Sequence, residues 1–203
     1  IEIFILTNGN RSRLLNETVN SALSIIVPHN CSLAISVSVN SGNEVSLDND
    51  LIRVITNKVS DNLFKHMQDC IEFTDADFVV FFHDDDLFLP NYLQVLTKHI
   101  YADNCVAVGG NSIIFSEDRW PNKIAFNRLI LPKFLKSKHQ ISAAYLECAV
   151  GAAALPSYLY RRTAIGEALV KLNSFYTFYR YSDIQLLILL LENKQNIKIL
   201  PHC

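Results

Sequence analysis

The stretch that most constrains this chain is residues 78–90: Phe78, Val79, Val80, Phe81 and Phe82, then His83-Asp84-Asp85-Asp86, then three apolar residues and Pro90. Five consecutive β-branched or aromatic residues make a strand with no polar face. Such a strand is stable only inside a sheet covered on both sides. Sheets of that kind are largely parallel, need helical crossovers, and bind ligands beyond the carboxyl ends of their strands. The acidic triplet therefore sits where ligands bind. Three adjacent carboxylates repel one another, and a divalent cation relieves the repulsion. Mg²⁺ or Mn²⁺ suits such oxygen ligands and commonly shares its coordination with substrate phosphates. The competing reading is a solvated loop in which Asp86 caps the helix opened by Pro90.

The rest of the chain supplies the crossovers. Residues 1–6 read as a strand, and Leu15, Val19, Ala22, Leu23 and Ile26 follow at helical spacing up to Pro28. Residues 33–39 alternate, with Ile35, Val37 and Val39 on one face and Ala34, Ser36 and Ser38 on the other. The turn residues Asn40-Ser41-Gly42-Asn43 come next, then a short strand at 51–55 and a helix carrying Phe64, Met67 and Ile71. Leu93, Leu96 and Ile100 mark a helix after Pro90. This rhythm predicts an α/β fold: a Rossmann-like, mostly parallel sheet flanked by helices. The second half is less regular. Residues 106–108 and 112–115 read as strands, 120–137 as a long basic and aromatic loop, and 197–200 as a last strand. Asp183 opens a helix with Ile184, Leu187, Ile188 and Leu191 on its buried face.

Composition narrows the function classes. At 203 residues the chain suits one domain, and 50% hydrophobic against 19% charged residues excludes a disordered one. Two halves are expected within it, a ligand-binding half at 1–110 and a second half at 111–203. Lys and Arg total 18 against 20 Asp and Glu, a net charge of -2, so nucleic acid is not an expected partner. No apolar run reaches the roughly 18–20 residues needed to span a bilayer. The five cysteines are widely spaced with no CxxC pair, as in a protein that keeps its thiols reduced. Opening on a strand and stopping just after another is the expected look of a piece cut from a longer protein.

The motif at 81–90 resembles the DxD region of family 2 glycosyltransferases, which have the GT-A fold. Thr7-Asn8-Gly9-Asn10-Arg11 resembles the Asn-Arg segment after that family's first strand, the helix bearing Ser21 matches its first helix, and Ser182-Asp183-Ile184-Gln185 resembles its acidic motif ahead of an apolar helix. The resemblance extends over nearly the whole chain. It implies an inverting glycosyltransferase moving a sugar from a nucleotide-diphosphate donor to a hydroxyl acceptor, in surface polysaccharide or glycolipid synthesis. By the same resemblance, Thr7, Asn8, Asn10, Arg11, Asn40 and Asp84 bind the nucleotide sugar, Asp85 and Asp86 hold Mg²⁺ or Mn²⁺, and Asp183 is the catalytic base. The implied acceptor is a saccharide or lipid-linked sugar, bound by the half at 111–203, with the nucleotide sugar on the half at 1–110 that ends in the DxD region. The implied location is the cytoplasm, with membrane contact through the basic stretch at 120–138.

Plainer readings stand beside these. Asn8, Asn10 and Arg11 fit a helix cap with a surface arginine, and Asp183 fits an N-cap. His83 fits a cation ligand or a donor behind one. Trp120, Tyr158, Tyr160, Tyr176, Tyr179 and Tyr181 fit a sugar platform or core packing, and Arg161-Arg162 an anionic acceptor or open surface. Three departures from the family pattern matter. Val39 stands where an acidic residue usually closes the second strand. His66-Met67-Gln68 stands where Ala-Arg-Asn is common, leaving Lys65 or His66 to supply charge. Many relatives continue past the last strand into a segment with Arg and His, whereas the sequence here stops at Cys203. A catalytically inactive nucleotide-sugar-binding module is the first alternative. A metal-dependent nucleotidyltransferase is the second, and the single glycine in residues 7–14 argues against it.

Overall fold

The computed structural model describes residues 1–40, 43–47, 49–57, 62–110, 133–135, 158–174, 182–191 and 196–200. In chain order these form β1 (Glu2–Thr7), α1 (Ser12–Leu23), β2 (Ala34–Val39), β3 (Ile52–Thr56), α2 (Leu63–Glu72), β4 (Phe78–His83) and α3 (Tyr92–Ala102). They continue as β5 (Ala107–Gly109), β6 (Lys133–Leu135), β7 (Tyr158–Arg161), α4 (Arg162–Ser174), α5 (Ser182–Leu190) and β8 (Ile197–Ile199). The strands make one eight-stranded sheet in the order β3-β2-β1-β4-β7-β5-β8-β6.

β3, β2, β1 and β4 are mutually parallel, as the apolar strands and intervening helices predict. The chain leaves β1 toward β2 on one side and returns from β3 to β4 on the other. The order therefore reverses between β1 and β4, and the crevice at that reversal is the natural ligand position in an open α/β sheet. β4 alternates between two cores. Phe78, Val80 and Phe82 join Ile3, Ile5, Leu15, Val19, Leu93 and Leu96 on the α1 and α3 face. Val79 and Phe81 join Phe4, Leu6, Phe64, Met67, Ile165 and Leu169 on the face covered by α2, α4 and α5.

The second half departs from expectation. β7 runs antiparallel between β4 and β5, an insertion not foreseen. Four residues are too few to show a period, and Tyr158, Leu159 and Tyr160 are all fully buried. The two tyrosines are core residues here rather than a sugar platform, and Gly109 leaves the space Tyr158 occupies, since a Cβ there would meet its ring at 2.4 Å. α4 was also missed, although Ala164, Ile165, Ala168, Leu169 and Leu172 carry a helical spacing and form its buried face. β6 lies within the stretch read as a loop and pairs antiparallel with β8. The remainder of 120–137, the strand expected at 112–115 and residues 149–155 lie outside the described residues.

The serine face of β2 is buried as fully as its apolar face. Ser36 and Ser38 do not face solvent; both are buried. Ser36 donates to Glu2 Oε1 at 2.6 Å, and Arg53 donates to the same oxygen. Ser38 Oγ accepts from Asn57 Nδ2 at 2.6 Å and from Cys70 Sγ at 3.2 Å, and it lies 2.8 Å from His66 Nε2. A hydroxyl with both lone pairs engaged donates its one proton, so His66 Nε2 is the acceptor and the imidazole is neutral with its proton on Nδ1. Burial drives the His66 pKa down to about 4, against a weaker opposing pull from Asp69. Burial likewise pushes the Cys70 thiol up to about 12. His66 is thus uncharged beneath the sheet and cannot supply the missing positive charge. Lys65 is exposed and ion-paired with Asp69 one turn along its own helix, so it does not supply it either.

Candidate functional site

The carboxyl ends of β2, β1 and β4 meet because their registers pair Thr7 with Val39 and Leu6 with His83. The chain beyond β1 turns sharply at Gly9, whose φ of +74° lies in the left-handed region. Gly9 N–H donates to Thr7 Oγ1 at 2.9 Å, and Asn43 reaches in from beyond β2 to donate to Asn8 O and Asn10 Oδ1, each at 2.9 Å. Asn40 is anchored by its backbone N–H to Thr7 O at 2.9 Å. Asn8, Asn10 and Arg11 are exposed at this edge and Asn40 is half-buried. Asn43 was seen in sequence only as turn chemistry; its role in latching the two loops comes from the fold.

The three aspartates have separated fates. Asp84 is 1% exposed. Thr7 Oγ1 donates to one of its oxygens and Arg11 Nη2 to the other, and Arg11 Nη1 reaches across to Asp85. Thr7 and Asp84 therefore lie below the surface, bonded to each other, and hold the Arg11 guanidinium over the strand ends. A fork of this kind is specific to arginine, whose planar donors engage two carboxylates at once.

Asp85 and Asp86 remain at the surface, with His83 beside them. Their side chains are 43%, 40% and 40% exposed, respectively. A tight turn joins the outer pair: His83 N–H donates to Asp86 Oδ2 at 3.3 Å, and Asp86 N–H donates to His83 O at 3.3 Å. Asp86 does not cap α3; its carboxylate turns back to His83, and the residue preceding α3 is Asn91. Burial holds the Asp86 carboxyl above the usual carboxylate range, partly opposed by the nearby His83 and its backbone N–H. α1 steadies the turn from below, since Thr18 Oγ1 donates to Asp86 O at 2.8 Å and Ser21 Oγ accepts from Phe88 N–H at 3.1 Å. One ligand atom from each of His83, Asp85 and Asp86 falls within 4.8 Å of the others. Two carboxylates and an imidazole at that spacing fit a divalent cation.

Asp183 lies in the first turn of α5, where the helix was expected to begin, but its side chain is outside the described residues. Trp120, Tyr176, Tyr179 and Tyr181 are outside them as well. Arg161 and Arg162 are placed at the opposite end of the sheet. Arg161 pairs with Phe78 at the start of β4 and stacks over its ring at 5.2 Å, and Arg162 Nε donates to Ala76 O at 2.9 Å. They do not face the strand ends where the acids lie. Among the described residues no helix is long and apolar enough to cross a membrane.

A mostly parallel α/β sheet with acids and an arginine at its switch point defines a doubly wound class of fold whose ligands bind at that edge. The family model for glycosyl transferase family 2 matches residues 4–166, and the chain belongs to that family. Its fold is the GT-A fold. Among solved structures it is similar to S. aureus TarS residues 1–349, with a TM-score of 0.63 and 14% identity over 98% of this chain and 57% of that one. The same S. aureus fragment in complex with UDP-GlcNAc superposes with a TM-score of 0.65 at 15% identity, over 98% of this chain and 55% of that one. The chain thus spans a little over half of these neighbours' length. A search of curated proteins finds none that matches.

Proposed function

We infer that this chain is the donor-binding part of an inverting glycosyltransferase acting on a nucleotide-diphosphate sugar. The observation that carries the reading is the division of labour at the end of β4 in a family 2 chain. Asp84 is consumed in fixing Arg11, and His83, Asp85 and Asp86 are left facing outward with donor atoms converging. The exposed Asn8 and Asn10, with Asn40 behind them, provide hydrogen-bonding groups for the base and ribose. The neutral amides of Asn40 and Asn43 stand at the edge where Val39 replaces the usual acid. Asp85 and Asp86 would hold Mg²⁺ or Mn²⁺, which supplies positive charge against the diphosphate leaving group. Arg11 adds a second positive charge from the protein itself.

Asp183 is the general base of this reading. Its carboxylate takes the proton of a saccharide or lipid-linked hydroxyl as that oxygen attacks the anomeric carbon from the face opposite the diphosphate. Attack from that face inverts the anomeric centre. The uridine nucleotide is the first donor to try, because a neighbour in fold was solved with UDP-GlcNAc. The test is a thermal-shift screen of UDP-, GDP-, dTDP- and CDP-sugars with and without Mn²⁺, since a ligand selective for the folded state raises Tm. One nucleotide series should stabilise the chain in a cation-dependent way. NMR of the product formed from that donor should then show an inverted anomeric configuration. Stabilisation without any transfer or hydrolysis would identify a binding module instead, and no stabilisation by any of the four series would overturn the reading.

A further inference from the structure

We propose that His83 is itself a cation ligand, and that its imidazole biases this corner toward Mn²⁺ over Mg²⁺. The inference rests on the reading of the corner as a cation and diphosphate site. The acidic triplet suggests three oxygen donors, but the fold withdraws one of them. Asp84 is buried with both oxygens engaged by Thr7 and Arg11, so it cannot turn outward without breaking that pair. The donor set that remains is one nitrogen and two carboxylates. The turn fixes their relation, because the reciprocal hydrogen bonds between His83 and Asp86 put both side chains on one side of the chain. His83 Nδ1 lies 3.7 Å from Asp86 Oδ2.

An octahedral ion with ligands at about 2.1 Å places neighbouring donors about 3.0 Å apart and opposite ones about 4.2 Å apart. The donor atoms of His83, Asp85 and Asp86 lie within 4.8 Å of one another, close to the span between opposite ligands of such an ion. Asp85 meets Arg11 with one oxygen and can give the other to the ion. The guanidinium and the cation would then flank the same carboxylate.

Mg²⁺ takes oxygen donors and gives up water reluctantly, so an imidazole adds little to its binding. Divalent transition ions accept an imidazole nitrogen more readily than Mg²⁺ does, and among them Mn²⁺ shares with Mg²⁺ the preference for carboxylate oxygen. His83 therefore strengthens Mn²⁺ binding selectively, and an aspartate at the same position would not.

The experiment titrates Mn²⁺ into the full chain with UDP present, follows free Mn²⁺ by EPR, and repeats the titration against Mg²⁺ as competitor. The wild-type chain should take up Mn²⁺ and show nitrogen modulation from a coordinated imidazole in the pulsed EPR spectrum. His83→Ala should lose that modulation and about tenfold in Mn²⁺ affinity, with Mg²⁺ affinity little changed. His83→Asp should lower the Mn²⁺-over-Mg²⁺ preference by a similar factor. His83 is 40% exposed, and an unchanged Tm would show that both variants fold. Mn²⁺ uptake without nitrogen modulation, or an unchanged preference in both variants, would overturn the role of His83 while leaving the cation site standing. No uptake of either ion by the wild-type chain would overturn the site and this inference together.

Discussion

The neutral histidine under β2 makes the stability of this chain depend on pH in a calculable way. His66 is 3% exposed, and its pKa falls from the ordinary 6.5 to about 4. Burial is the main cause, and the Ser38 hydroxyl donating to Nε2 gives a protonated ring no acceptor on that side. Well above pH 6.5 the ring is neutral in both the folded and the unfolded chain and contributes no pH dependence. As pH falls through 6.5 the unfolded chain takes up the proton first, so stability falls with pH until the folded ring titrates near 4. Those two values give a loss of about 2 kcal/mol between pH 7 and pH 5, rising to about 3 kcal/mol below pH 4. The perturbation is His66→Gln, which keeps a side chain able to hydrogen-bond and removes the titration. Urea unfolding of both proteins at several pH values between 7 and 4.5 isolates the term, because surface carboxylates contribute equally to each and cancel. The gap between wild type and variant should move by about 2 kcal/mol in the variant's favour from pH 7 to pH 5. A gap that stays constant with pH would show that His66 is solvated or charged in the folded chain, and the Ser38-centred network would be wrong with it.

Three further outcomes are expected. Asp84→Asn leaves either Thr7 or Arg11 without its charged acceptor and should cost about 2 kcal/mol in urea unfolding, the usual worth of hydrogen bonds to a buried charge; a loss indistinguishable from zero would mean that Asp84 does not anchor Arg11. Gly9→Ala puts a Cβ 3.0 Å from Asn43 Cβ at a left-handed residue. It should destabilise the chain by about 1–2 kcal/mol and weaken nucleotide affinity by loosening the Asn43 latch, whereas unchanged affinity in calorimetry would separate that loop from the nucleotide. Asp183→Asn should slow transfer by a factor of about 10²–10⁴ while leaving the donor Kd near the wild-type value; full turnover in the variant would remove Asp183 as the base.

Much of the first half was legible from local pattern. The apolar run at 78–82 demanded a doubly covered strand, and the helices with leucine and isoleucine at three- and four-residue intervals supplied the cover. The acids were placed correctly at the end of that strand, because the end of a buried run is visible in one dimension. β7 and β6 were not anticipated, since three or four residues carry too little periodicity to distinguish a strand from a loop. α4 carries a legible helical spacing in Ala164, Ile165, Ala168, Leu169 and Leu172. The alternation in β2 gave its two faces but not what covers the serines: Ser38 meets His66 and Cys70 of α2, and Ser36 meets Glu2 and Arg53.

The sequence alone determined the sheet type, the strand that ends in carboxylates and the chemical kinds of group gathered at that end, because strand length and hydrophobic period are local properties of the chain. Local pattern could not say which of the three is buried, for identical side chains in a row differ only in what surrounds them; the family resemblance gave Asp84 to the nucleotide sugar and Asp85 and Asp86 to the cation without any account of burial. Tertiary structure decided that. Thr7 at the end of β1 and Arg11 at the start of α1, both more than seventy residues away, bury one carboxylate and leave two beside an imidazole, and the low dielectric around Asp84 requires that it keep those partners.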